Sequence, residues 1–252
     1  MSILEISNLS LSFGGVKALQ DVSFRVPENT VTTIIGPNGA GKTSLFNCIS
    51  GFYKPQQGTI RYQGQPLPGS IKPPKRAALG LARTFQNIAL FRGMTVLDNI
   101  KLGAHVHMKS GLLSALAYFG PARREEMAVR RDVEERIIDF LEIDHIRRQP
   151  VASLSYGLQK RVELARALAM QPKVLMLDEP VAGMSVAERK KTAELLRVIT
   201  KDHTVLVIEH DMQFVGDIAD RVTVMHQGKV LSEGSIEHVK SDPKVFEVYL
   251  GH

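Results

Sequence analysis

Cysteine is nearly absent: Cys48 is the one cysteine in 252 residues, so the chain has no internal disulfide. It stands beside Leu45, Phe46 and Ile49, which makes it a small core residue rather than a reactive thiol. A reducing compartment follows as the expected home. No stretch approaches the ~18 consecutive apolar residues that a bilayer span requires. Met1 to Leu11 also lacks the basic-then-apolar order of a secretory signal. The expectation is a soluble, cytoplasmic chain. Tandem repeats, low-complexity tracts and long heptad runs are missing too. A chain of this size buries roughly three quarters of the surface its unfolded form exposes, and needs no staples. The formal net charge of +6 is spread over pairs such as Arg123-Arg124, Arg130-Arg131 and Arg147-Arg148. These read as solvated helix faces, with a surface for anionic lipid or nucleic acid as the open alternative.

What is present reads as an α/β core with an inserted helical segment. Ile3 to Phe24 mixes β-branched and apolar residues with Asn8, Gly14 and Gly15 as turn signals, which predicts short antiparallel strands. Val31 to Ile35 is a buried strand that ends at Gly36, and Ser44 to Ile49 is a helix that stops near Gly51. Gly58 to Gly64 predicts a further hairpin segment, and Pro66 to Pro74 a surface loop. From Val96 to Asp144 the pattern turns helical, with Val129, Val133, Ile137 and Leu141 at four-residue steps. Gly111 to Gly120 is apolar but short, and is expected to be a packed helical segment. Val174 to Leu177 and Val205 to Ile208 are continuous apolar runs, the mark of parallel strands covered on both faces. Ser185 to Thr200 predicts the crossover helix between them.

Gly36-Pro37-Asn38-Gly39-Ala40-Gly41-Lys42-Thr43 fits G-x-x-x-x-G-K-[ST] between an apolar strand and a helix. Its glycines let backbone N–H groups turn inward around phosphates, Lys42 brings charge to the terminal phosphates, and the Thr43 hydroxyl suits Mg²⁺. Chance alone gives such a match on the order of once in a hundred chains of this length. Val174 to Leu177 then delivers Asp178 and Glu179 to a strand's carboxyl end, where α/β sheets place ligands. Asp178 suits Mg²⁺ held through a water, and Glu179 suits orienting or deprotonating an attacking water. His210 follows the next apolar strand, placed to contact a γ-phosphate and hold the water and Glu179 in register. In Arg83-Thr84-Phe85-Gln86-Asn87, the Gln86 amide is a candidate for Mg²⁺ or the lytic water. Guanine selection would need Asn-Lys-x-Asp and Asp-x-x-Gly; neither occurs.

The order of phosphate loop, Gln86, Leu154-Ser155-Tyr156-Gly157-Leu158-Gln159, Asp178-Glu179 and His210 resembles the ATP-binding subunits of ABC transporters over essentially the whole chain. The resemblance implies a single ABC ATPase domain: residues 1–86 and 160–252 form the P-loop core with an antiparallel β subdomain, and 87–159 form the helical insertion. It implies ATP contacts from the whole phosphate loop and Ser44, and an aromatic stack on adenine from Phe13. It also implies a head-to-tail dimer in which Ser155, Tyr156 and Gly157 meet the γ-phosphate of ATP on the opposite subunit. Leu158 stands where the family carries Gln, which implies one polar contact fewer across the dimer, and Ser185 stands where it carries Asp, which implies altered communication between the two ATP sites.

Glu179 to Gly183, Glu209-His210-Asp211-Met212, the ending Asp242 to Gly251 and the extended Lys101 to Arg131 resemble the longer ATPase of branched-chain amino acid importers. Such a subunit implies a sister ATPase, permease subunits, a periplasmic binding protein and a place on the inner face of the membrane. Close relatives for urea import or lipopolysaccharide export share much of the ending. Contact with the permease is expected around Asn87 to Phe91 and Thr95 to Asp98. The pI near 9.4 admits a nucleic-acid-linked ABC ATPase, yet the chain has neither the long coiled coil nor the second ATPase domain of those proteins.

Overall fold

A computed structural model describes residues 1–105, 131 and 133–250. Val129, Gly111 to Gly120, Arg123, Arg124, Arg130 and most of the extended stretch Lys101 to Arg131 lie outside those residues, as do Gly251 and His252. By contacts the chain divides into two compact units, Met1–Arg83 with Lys173–His252, and Thr84–Pro172.

The first unit holds two sheets. Strands β1 (Ser2–Phe13), β2 (Val16–Pro27), β4 (Gln57–Tyr62) and β5 (Gln65–Pro66) form an antiparallel sheet in the order β2-β1-β4-β5. Asn8 does not turn the chain. It sits inside the 12-residue β1 at φ 52°, where the register with β2 shifts between Ile6 and Leu9. Its amide N–H donates to Ser23 Oγ and its side chain to Asp21 Oδ1, so the turn chemistry of Asn is spent on a bulge. The proline-rich stretch is only partly loop. Pro66 lies on an edge strand, and Pro73 opens helix α2 (Pro73–Ala78), a position whose missing N–H costs nothing.

The second sheet runs β10 (Lys229–Gly234), β9 (Arg221–His226), β3 (Val31–Ile35), β8 (Thr204–Ile208), β7 (Val174–Asp178) and β6 (Leu81–Arg83). All its pairings are parallel except β9 with β10. Every residue of β3, β7 and β8 is buried, as strands covered on both faces must be. One face packs helix α1 (Lys42–Ser50) with the antiparallel sheet through Leu45, Phe46, Cys48, Ile49, Ile6 and Phe24. The other face joins Ile35, Val222 and Val224 to Val215 of helix α6 (Met212–Ile218) and to Val239 and Val245. Those two valines come from helices α7 (Ile236–Ser241) and α8 (Pro243–Leu250). The crossover helix α5 (Val186–Ile199) opens on a capping box between Ser185 and Glu188.

In the second unit, helix α3 (Val96–Ala104) is capped by Thr95, and α4 (Tyr156–Leu168) by Ser155. Val133 and Ile137 lie on a π-helical turn, Val133–Ile138, and with Leu141 they are buried. A Cβ at Gly103 would stand 2.1 Å from Arg166 O, so α3 and α4 touch backbone to backbone there. Among the described residues no helix is long and apolar enough to cross a membrane.

Candidate active site

The loop after β3, the carboxylates at the end of β7 and the histidine after β8 come from neighbouring strands, because β8 lies between β3 and β7. The strands end level, with Ile34 opposite Ile208 and Ile208 opposite Asp178. Adjacent parallel strands thus present Gly36 to Lys42, Asp178-Glu179 and His210 at one carboxyl edge, where such sheets bind ligands.

The phosphate loop is shaped by close backbone approach. Gly36 has φ 153°, and a Cβ there would meet Met225 O at 2.2 Å; Gly41 has φ 100°, and a Cβ would meet Ala18 O at 2.5 Å. Any other residue at either place would force the loop open. Ala40 is buried, whereas Asn38 and Gly39 are exposed at the tip. Lys42 spans the loop, its ammonium donating to Gly36 O at 2.6 Å and to Pro37 O at 3.0 Å. Burial pushes the Lys42 ammonium below its ordinary pKa, opposed by the charges of Glu179 and Asp178. The cap residue Gly41 has no side chain to bond the first N–H groups of α1, so these, with exposed Thr43 and half-buried Ser44 beside them, suit an anion.

Asp178 is buried and paired with Arg83, Nη2 to Oδ2 at 3.1 Å. Arg83 also donates to Asn47 Oδ1 and Ser50 Oγ of α1, and lies over the Phe46 ring at 5.4 Å. Its guanidinium is pushed below its ordinary pKa by burial, with Asp178 opposing. Glu179 has φ 48°, and its N–H donates to Ile208 O at 3.0 Å. His210 Nδ1 lies 3.8 Å from Glu179 Oε1.

Phe13 is exposed at the β1–β2 turn, with its ring edge-on to Tyr53 at 5.1 Å. It is not a core aromatic. The same hairpin reaches the phosphate loop at Ala18, which also abuts Gly228, whose N–H donates to Ala40 O.

Gln86, Ser155, Tyr156 and Gly157 belong to the second unit. Gln86 is exposed, on a segment pinned from α4. Lys160 Nζ donates to Phe85 O and Gln86 O, Glu163 Oε1 accepts from the Phe85 and Ala89 N–H groups, and Arg166 donates to Ala89 O. Ser155 and Tyr156 are exposed and Gly157 half-buried at the start of α4, where Ser155 Oγ accepts from the Leu158 N–H at 3.4 Å. The sequence reading missed Arg83, Glu209, Lys160 and Glu163. Each acts through a partner distant in sequence; the one local signal was a charged residue in a stretch destined for burial.

A family profile for the ABC transporter matches residues 19–182. The LivG high-affinity branched-chain amino acid transport ATP-binding protein of Salmonella typhimurium is 40% identical, covering 99% of this chain and 98% of its own length. The BraF protein of Pseudomonas aeruginosa, of the same description, is 39% identical with the same coverage. Among solved structures, the ADP conformation of MJ1267, an ATP-binding cassette of an ABC transporter, superposes with a TM-score of 0.86. It is 34% identical, and the match covers 100% of both chains. The chain belongs to the ABC transporter family, and is an ATPase of it.

Proposed function

We propose that the chain is the ATP-hydrolysing subunit of an importer of branched-chain amino acids, held at the inner face of the membrane by its permease. The observation that carries the ATPase site is the meeting of Lys42, Asp178, Glu179 and His210 at the ends of three neighbouring strands. The solute class is supported by likeness to the LivG and BraF proteins along the full chain.

In this reading the N–H groups from Gly36 to Ser44 cradle the phosphates of ATP, and Phe13 stacks on the adenine. Lys42 exchanges its carbonyl contacts for the β- and γ-phosphates, whose negative charge favours the ammonium form that burial disfavours. Glu179 receives or orients the proton of the attacking water, and His210 holds the γ-phosphate and Glu179 together. Thr43 and Asp178 would hold Mg²⁺ through hard oxygen donors, and the Gln86 amide is the candidate donor from the second unit. When bound, Mg²⁺ neutralises charge on the β- and γ-phosphates. Ser155, Tyr156 and Gly157 meet the ATP of a second ATPase subunit, this chain or a sister, in a head-to-tail dimer.

Permease contact falls on Asn87 to Phe91 and Thr95 to Asp98. Phe91, and Met94 between the two stretches, are exposed at 58% and 39%. The loop is held firm by fully buried Asn99, which donates to Phe91 O and Thr95 O and accepts from the Phe91 N–H. The test is ATPase activity of the chain purified with its permease, given binding protein loaded with leucine, with urea or with nothing. Stimulation by the leucine-loaded form, abolished by Glu179→Gln, supports the proposal. Stimulation only by the urea-loaded form would move the solute to urea.

A further inference from the structure

His210 is flanked by two carboxylates, and both are engaged. Glu209 is 1% exposed, and its own N–H donates to Ile34 O of the central strand β3. Its Oε2 accepts from the N–H groups of His210 at 3.0 Å and Asp211 at 3.4 Å, and its Oε1 accepts from Val181 N–H at 3.3 Å. Asp211 Oδ1 caps α6 by accepting from Gln213 and Phe214, and its Oδ2 is paired with Arg189 Nη1 on α5. Val181 and Arg189 bracket the turn Ala182 to Ser185, which begins three residues after Glu179. The backbone on both sides of His210 is therefore tied to the chain just beyond Glu179.

The chemistry of Glu209 suits this task, and its Oε2 also lies 3.9 Å from His210 Nδ1, close to the 3.8 Å between that nitrogen and Glu179. A carboxylate is an acceptor at both oxygens, so it alone among side chains of its size satisfies N–H groups arriving from two directions. Among the described residues no cation is in hydrogen-bond contact with it, so its burial is costly; burial raises its proton affinity against the opposing pull of those N–H groups and of His210. An amide of the same shape keeps one acceptor oxygen and turns an NH₂ toward N–H groups, leaving at least one unsatisfied.

We infer that Glu209, with the Asp211–Arg189 pair beside it, is a positioning group that sets the His210 imidazole against Glu179 and links that placement to the turn Ala182 to Ser185. This rests on the proposed roles of Glu179 and His210. It also supplies a route from the turn to the reacting centre that does not need the Asp which Ser185 replaces.

The test compares Glu209→Gln, His210→Ala and the double variant of the full chain for kcat, KM for MgATP and affinity for a fluorescent ATP analogue, with melting curves as the folding control. Expected is a kcat loss on the order of 10- to 100-fold for Glu209→Gln. KM and nucleotide affinity stay unchanged, and no further loss appears when it is added to His210→Ala. A folded Glu209→Gln variant with full kcat, or losses that multiply in the double variant, would overturn the inference. Should Glu209→Gln fail to fold, Arg189→Met takes its place, since Arg189 is 34% exposed. A kcat loss that vanishes in the His210→Ala background supports the inference; full kcat or a multiplying loss sinks it. Full turnover in His210→Ala alone would instead remove the His210 role itself, and the inference with it.

Discussion

Glu179 holds a left-handed backbone with φ 48°, a conformation that costs a residue with a side chain roughly 1–2 kcal/mol. Glycine carries no such penalty, although it loses more freedom on folding, about 0.5–1 kcal/mol. Activity and stability should therefore part company at this position. Glu179→Gly is expected to abolish turnover while leaving stability intact or raising it by up to ~1 kcal/mol, read from urea midpoints. A clear loss of stability would mean that the strained backbone is supported by the Glu179 side chain. Cys48 gives a second prediction at this scale. Burial pushes its thiol up to about 11, with the Arg76 charge opposing. The thiolate is the reactive form, so iodoacetamide at pH 8 should leave the folded chain unmodified and label it once urea unfolds it. Rapid labelling of the folded chain would show that the core over Cys48 opens.

Among the elements, α1 carries the phosphate loop at one end and an unusual cap at the other. Gly51 turns the chain at φ 84°, and fully buried Arg76 donates to Cys48 O and Ile49 O of the last turn, and to Ile71 O and Pro68 O. A cation at a helix C-terminus is favourable, and carbonyls buried without a donor are costly. Arg76→Met is expected to lower stability by roughly 1–3 kcal/mol, the cost of leaving a buried polar group unsatisfied. Measured by urea unfolding, a change under 1 kcal/mol would mean that water replaces the guanidinium. The same elements show what a sequence discloses. Strands β3, β7 and β8 were legible because parallel strands covered on both faces must be continuously apolar. The residues at their ends were legible because the phosphate loop repeats a backbone requirement at fixed spacing. Arg76, Arg83 and Glu209 were not, since their partners are set by strand order and by which loop passes overhead. Asn8 was misread because one residue type serves both turns and bulges, and only the register with β2 and β4 tells them apart.

For the molecule as a whole, ligand binding, turnover and self-association are coupled through mass action. A nucleotide that binds only the folded chain adds about 2.7 kcal/mol of stability at a hundred times its Kd. Wild-type protein spends that gain by hydrolysing ATP, whereas Glu179→Gln keeps the γ-phosphate and the contacts made to it. If Ser155, Tyr156 and Gly157 grip the γ-phosphate of a neighbour's ATP, Glu179→Gln with MgATP should double in mass from 27.9 kDa, measured by light scattering during gel filtration. With ADP, or with ATP and EDTA, it should remain a monomer. Ser155→Arg in the same background separates the two ends of the sandwich, because its bulk blocks the helix start without touching the phosphate loop. That double variant should keep the thermal shift with MgATP and lose the dimer. Loss of both would mean that Ser155 supports the fold of its own subunit. A dimer that persists would place the contact elsewhere than the start of α4. A Glu179→Gln chain that stays monomeric with MgATP would mean that two copies of this chain do not close on ATP, and gel filtration after mixing it with a sister ATPase subunit then decides between a mixed dimer and none.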